Sequence, residues 1–144
     1  MGEAGLRFAG HAALFDRVDR GGDVIRAGAF ADCLARGGGR MVLLLEHDLA
    51  RPVGFVTARE DARGLAVEGR LTARTGTARA AARLVESGAL RGLSFGYRVV
   101  AARGARPREL LALDVVEVSL VARPMQPGAG VEDVVQGAVA AAIL

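Results

Sequence analysis

Three residues of this 144-residue chain combine a reactive type with a suggestive setting: His47, Ser94 and Glu117. Ser94 lies in Leu90-Arg91-Gly92-Leu93-Ser94-Phe95-Gly96-Tyr97, between a helix-like run over 77–89 and a strand-like run over 95–101. Glycine at 92 and 96 lets the backbone turn and lets another group approach the hydroxyl. A serine nucleophile needs that access, because its weakly acidic hydroxyl must meet both a base and an electrophile. A structural serine opening a strand has the same local sequence, and taken alone the segment favours that plainer reading.

His47 ends the apolar run 41–46. A histidine at the end of a buried strand, just before a loop, is placed to act as a general base at the rim of a site, although a structural histidine fits there equally. Its neighbour Asp48 should point to the opposite side if the strand continues, which makes it a poor partner for the ring. Glu117 interrupts the long apolar strand pattern of 109–122. Alternation puts Val115, Glu117, Ser119 and Val121 on one face and Val116, Val118 and Leu120 on the other. A carboxylate inside such a strand is costly unless paired. The alternative is an edge-strand glutamate facing water. Base, nucleophile and acid would then follow in the order His, Ser, acid. A triad is defined by geometry rather than chain order, so the order is no obstacle.

The elements that must position these residues are mostly strands. Residues 6–14 alternate with period two, which puts His11 on the less apolar face as a surface or rim residue. Residues 16–25, rich in Asp and Gly, read as a structural loop with Asp–Arg pairs rather than a cation loop, since the spacing does not fit an EF-hand. A short helix is expected over 28–36, with Phe30, Cys33 and Leu34 on one face and Cys33 buried. Residues 54–59 and 65–71 form a hairpin pair around the polar connection 60–64. The clearest helix covers 77–87, with Thr75 or Thr77 as N-cap, Gly88 as its stop, and Ala81, Leu84, Val85 and Gly88 on one face. Strands at 94–102 and 109–122 flank an Arg/Gly/Pro hairpin loop. One domain is expected over 1–127. A tail over 128–144 follows, in which 131–144 can form an Ala-rich helix apolar enough to want a partner surface.

Composition narrows the class. Half the residues are hydrophobic (51%) and 24% are charged, as in a globular domain with a real core. No apolar run is long enough to cross a bilayer, and the first residues lack the basic and apolar regions of a signal peptide, so the cytoplasm is the expected location. The single cysteine, Cys33, can form no internal disulfide. The net charge is only +3, and the arginines are scattered, with few aromatics among them. That argues against a nucleic-acid surface, which needs a basic cluster.

Five segments taken together resemble the prohead proteases of HK97-like tailed phages, including the versions in gene transfer agents. They are Gly10-His11-Ala12-Ala13-Leu14-Phe15-Asp16; residues 19–25 with Gly28-Ala29-Phe30; Leu45-Glu46-His47-Asp48 through Pro52-Val53-Gly54; Gly92-Leu93-Ser94-Phe95-Gly96-Tyr97; and Val116-Glu117-Val118-Ser119-Leu120-Val121. Two positions depart from the pattern: His11, where an aromatic is expected, and Glu46, where Gln is commoner. Strand alternation should aim Glu46 away from His47. The resemblance implies a mainly β fold with flanking helices, a closed antiparallel β-barrel like that of the herpesvirus proteases. It implies a serine endopeptidase that removes the scaffolding segment of the major capsid protein within or on the assembling prohead. Ser94 and His47 carry over as nucleophile and base. The acid falls on Glu117, with Asp114 second, and Arg91, Arg98 or Arg103 could assist an oxyanion site. No cofactor, metal, nucleic acid or membrane is implied. The major capsid protein is the expected partner, and self-association is expected from the family and the apolar tail.

Two other classes compete. A non-enzymatic barrel serving capsid or scaffold assembly would hold Ser94 and His47 far apart. A hydrolase built on Cys33 would need a base beside the thiol. A metal hydrolase is least favoured, because two isolated histidines make no ligand cluster.

Overall fold

The computed structural model describes residues 5–136. Its strands are β1 (Leu6–Leu14), β2 (Asp23–Ile25), β3 (Arg40–Leu45), β4 (Asp48–Glu60), β5 (Gly64–Leu71), β6 (Gly92–Arg103), β7 (Arg108–Val121) and β8 (Gly130–Gln136). Helix α1 covers Ala31–Gly37 and α2 covers Gly76–Ser87. Around the molecule the strands run β7-β3-β4-β5-β1-β8-β6 and return to β7, a closed seven-stranded barrel, with β2 added beside β7. All pairings are antiparallel except β2–β7 and β3–β7, which are parallel. Closure removes the open edges that a sheet would otherwise present.

Alternation along the strands sets the core. Leu43, Leu65, Leu71, Leu93, Leu110, Leu113, Leu120, Val53 and Val56 are fully buried. An aromatic series, Phe15–Phe30–Phe95–Tyr97, continues it with ring centroids 6.2, 5.4 and 4.8 Å apart. Helix α2 begins as expected at Thr75, whose side chain accepts a hydrogen bond from the Ala78 N–H at 3.0 Å, and it stops at Gly88 in the left-handed region. It buries Ala78, Ala81 and Val85 against β4 and β5. Leu84, expected on that face, is exposed.

Several boundaries differ from the sequence reading. Residues 48–53 are strand rather than loop, so β4 starts directly after His47. Where a helical tail was expected, residues 130–136 form β8, because β1 needs a partner on its second edge to close the barrel. Residues 137–144 lie outside the described residues. The β6–β8 join is short, one residue pair, Gly92↔Gly130, backed by main-chain bonds from Leu93 N–H to Ala129 O at 3.3 Å and from Val131 N–H to Arg91 O at 2.8 Å. The Asp/Gly loop before β2 is held as expected by pairs between Asp16 and Arg26 and between Asp23 and Arg108, while Asp19 accepts the Gly21 and Asp23 N–H groups.

Candidate active site

The hairpin joining β3 to β4 is as short as a hairpin can be. Leu45 pairs with Asp48, leaving Glu46 and His47 as the two turn residues. Both have positive φ, 50° and 61°. Two-residue hairpins demand that conformation because it matches strand twist, and they normally recruit Asn-Gly for it. A glutamate and a histidine there store strain of order 1–3 kcal/mol each, which the surroundings must hold in place. They do so through β7. The Glu46 N–H donates to Leu120 O at 2.9 Å, and Glu46 Oε2 accepts the Ala122 N–H at 2.9 Å. The His47 N–H donates to Ser119 Oγ at 3.0 Å. Glu46 is thus committed to the backbone, although the turn, not strand alternation, aims it there. Asp48 accepts the Ala50 N–H and pairs with Arg51.

Under this turn lie β6 and β7. In their register Ser94 faces Ser119 and Gly96 faces Glu117. Leu93, Phe95, Val118 and Leu120 of the same strands fill the core. The alternate residues Ser94, Gly96, Glu117 and Ser119 therefore share the outer wall of the barrel. A bulge follows at Gly96/Tyr97, where the next pair is Tyr97↔Val115. It leaves Val116 exposed and returns Val115 to the core side, which corrects the alternation expected for this strand.

The side chains meet on that wall. The His47 Nδ1 and Glu117 Oε2 are 2.6 Å apart, and the Ser119 hydroxyl donates to Glu117 Oε1 at 2.7 Å. Glu117 is not the water-facing edge residue that the sequence also allowed: its side chain is 8% exposed, against 42% for His47. Both of its oxygens are engaged, as a buried carboxyl group requires. Glycine is required at 96, since a Cβ there would stand 2.5 Å from Glu117 Oε2. The close approach that the flanking glycines anticipated is therefore made by the carboxylate. With Nδ1 committed, Nε2 is the ring nitrogen left for chemistry. Ser94 itself is not at a turn but is the third residue of β6, and it is 6% exposed.

The other candidates are engaged elsewhere. Asp114 pairs with Arg36 at 2.6 Å, so His47 takes its carboxylate from Glu117. Arg103 binds Glu109, and with Arg26 it pulls the Glu109 carboxyl from 4.5 down to about 2. Arg91 reaches Val131 O at 3.4 Å, and Arg98 faces Asp114 across the strands. Cys33 is half-buried and its Sγ accepts the Val115 N–H at 3.3 Å, with neither histidine bonded to it. No group of three His, Cys, Asp or Glu side chains placed to hold a metal ion exists among the described residues. Tyr97, next along β6, has its phenol pKa raised by burial and by Asp19 and Asp23.

Sequence reasoning missed two features. Ser119 was noticed only as a face-mate of Glu117, although its offset of two residues on one strand was the available signal. His11, expected at the surface, is buried between Asp61 and Glu132, each 2.8 Å from one ring nitrogen. The β1 irregularity after His11 and the approach of β8 enclose it.

The fold has solved counterparts. A KSHV protease, crystallised with a hexapeptide phosphonate inhibitor, superposes with a TM-score of 0.59 at 16% identity over 92% of this chain and 64% of its own. The varicella-zoster virus protease gives 0.59 at 17% identity over 89% and 63%. The architecture is thus that of the herpesvirus proteases. The family model for the caudovirus prohead serine protease matches residues 2–142, and the chain belongs to that family. The prohead protease of Enterobacteria phage HK97 is 33% identical over 100 residues, 68% of this chain and 44% of the phage protein, so the chain spans less than half of that relative's length.

Proposed function

We propose that this protein is a serine endopeptidase of capsid maturation, with Ser94 as nucleophile, His47 as general base and Glu117 as the acid that orients it. The observation that carries the reading is the 2.6 Å contact between His47 Nδ1 and Glu117, made on the wall that Ser94 shares. His47 Nε2 takes the Ser94 proton as Oγ attacks a peptide carbonyl, forming the tetrahedral intermediate. The same nitrogen then returns the proton to the leaving amine, and water repeats the cycle on the acyl-enzyme. Glu117 holds the tautomer with the proton on Nδ1 and stabilises the imidazolium that forms. The Ser94–His47 hydrogen bond belongs to the substrate complex, since such bonds tighten when substrate binds.

The substrate is the major capsid protein, from which the enzyme removes the scaffolding segment. The site of action is the assembling prohead, in the cytoplasm. Family membership supports this reading. Self-association belongs to the same proposal. The test is co-expression with the matching capsid protein, followed by mass spectrometry of the capsid N-terminus. A shortened capsid protein with the wild type, and a full-length one with Ser94→Ala and His47→Ala, is the expected result. Identical processing by all three would overturn the proposal.

A further inference from the structure

We propose that Ser119 is a positioning residue of this site, an inference that rests on the Ser94–His47–Glu117 reading above. Ser119 is fully buried, directly opposite Ser94 in the β6–β7 register. Its hydroxyl does two things at once. It donates to Glu117 Oε1 at 2.7 Å and accepts the His47 main-chain N–H at 3.0 Å. One hydroxyl carries one proton and two lone pairs, so both roles are compatible.

The consequence is geometric. Glu117 has one oxygen for His47 and one for Ser119, so the hydroxyl stops the carboxylate rotating about its terminal torsion, which is otherwise broad. The second bond reaches the backbone of the strained turn. The His47 φ of 61° lies in the left-handed region, which is uncommon for residues other than glycine. Ser119 therefore fixes the acid and the base relative to each other: the ring through Glu117, its main chain directly. The hydroxyl touches no reacting atom in this arrangement and acts through its neighbours.

Alanine at 119 removes both bonds with little change in volume, and threonine retains the hydroxyl. The probe is a fluorophosphonate, read as its maximal labelling rate and its half-saturating concentration. Ser119→Ala is expected to lower the maximal rate by about 10–100-fold, the scale of a small misplacement of catalytic groups. The half-saturating concentration should stay within about threefold, since no contact with the probe is lost. In proton NMR the resonance of the His47 Nδ1 proton should move or broaden away in Ser119→Ala and stay in place in Ser119→Thr. The alanine variant alone decides the case if the threonine variant does not fold. Wild-type labelling by Ser119→Ala, or lost labelling with the Nδ1 resonance unmoved, overturns the assignment. Ser94→Ala separates the two claims. If it labels like the wild type, the triad reading falls; if only Ser94→Ala loses labelling, the triad stands and the role of Ser119 falls.

Discussion

The molecule's two histidines are both tied to carboxylates, and the difference between them is instructive. His11 has each ring nitrogen 2.8 Å from an acid, Asp61 on one side and Glu132 on the other, and its side chain is only 6% exposed. His47 has one nitrogen held by Glu117 and a side chain 42% exposed. A ring with both nitrogens satisfied is a cross-brace: it joins β1 to the β4–β5 hairpin and to β8. A ring with one nitrogen satisfied and the other free is oriented without being used up, which is what a general base requires. A carboxylate neighbour alone therefore does not single out a base; the unspent nitrogen is what supports that proposal for His47.

That contrast can be broken in order of expected effect. His47→Asn should lower fluorophosphonate labelling and capsid cleavage by about 10⁴–10⁶-fold. Glu117→Gln keeps the shape but favours the wrong tautomer, and a loss of roughly 10²–10⁴-fold in the maximal labelling rate is expected. Gly96→Ala should push the carboxylate off His47, lowering labelling by about 10²-fold, the scale of a 1 Å displacement. His11→Ala should act on stability rather than on labelling. It leaves two partly buried carboxylates without their partner, costing about 1–3 kcal/mol in urea unfolding, with labelling reduced by less than about tenfold. If His11→Ala abolished labelling at unchanged stability, the distinction between brace and base would be lost.

The smallest effect is on pH dependence. Burial raises the Asp61 pKa, but the His11 contact and the Arg63 and Gly64 N–H groups outweigh it and hold the carboxyl below its ordinary 3.8. A depressed carboxyl contributes stability that is present above its unfolded value and lost as pH falls through the folded one. Wild type should therefore lose stability as pH drops below about 4. His11→Ala should show a shallower acid limb in thermal melts, because part of the cause of the depression is gone.

Much of this was legible in residue types and alternation. β1, β5 and β7 came within a residue or two of their observed bounds because their apolar positions recur every second residue against one core. His47 and Glu117 stood out because each is a polar residue in an apolar run. What stayed hidden was local geometry that overrides pattern. Glu46-His47 carries none of the Asn or Gly that announces a two-residue turn, so β4 was started six residues late. The bulge beside Gly96 changes the face of Val115 without altering composition. The segment of β8 reads as the start of an Ala-rich helix because its composition does not fix its state, and only the unpaired edge of β1 decides between them. His11 looked peripheral because the acids that enclose it, Asp61 and Glu132, are 50 and 121 residues away.

The outer-wall position of Ser94, Glu117 and Ser119 has one more consequence. The proposed catalytic groups and the core share β6 and β7 residue by residue, with odd positions of β6 packed inward and even ones on the outer wall. A single-residue insertion upstream of Ser94 in β6 would exchange the two sets, sending the hydroxyl inward and leucine and phenylalanine out beneath the histidine. Frame and proposed site in this barrel are inherited together, so a change of strand length before Ser94 would displace every group of the site at once.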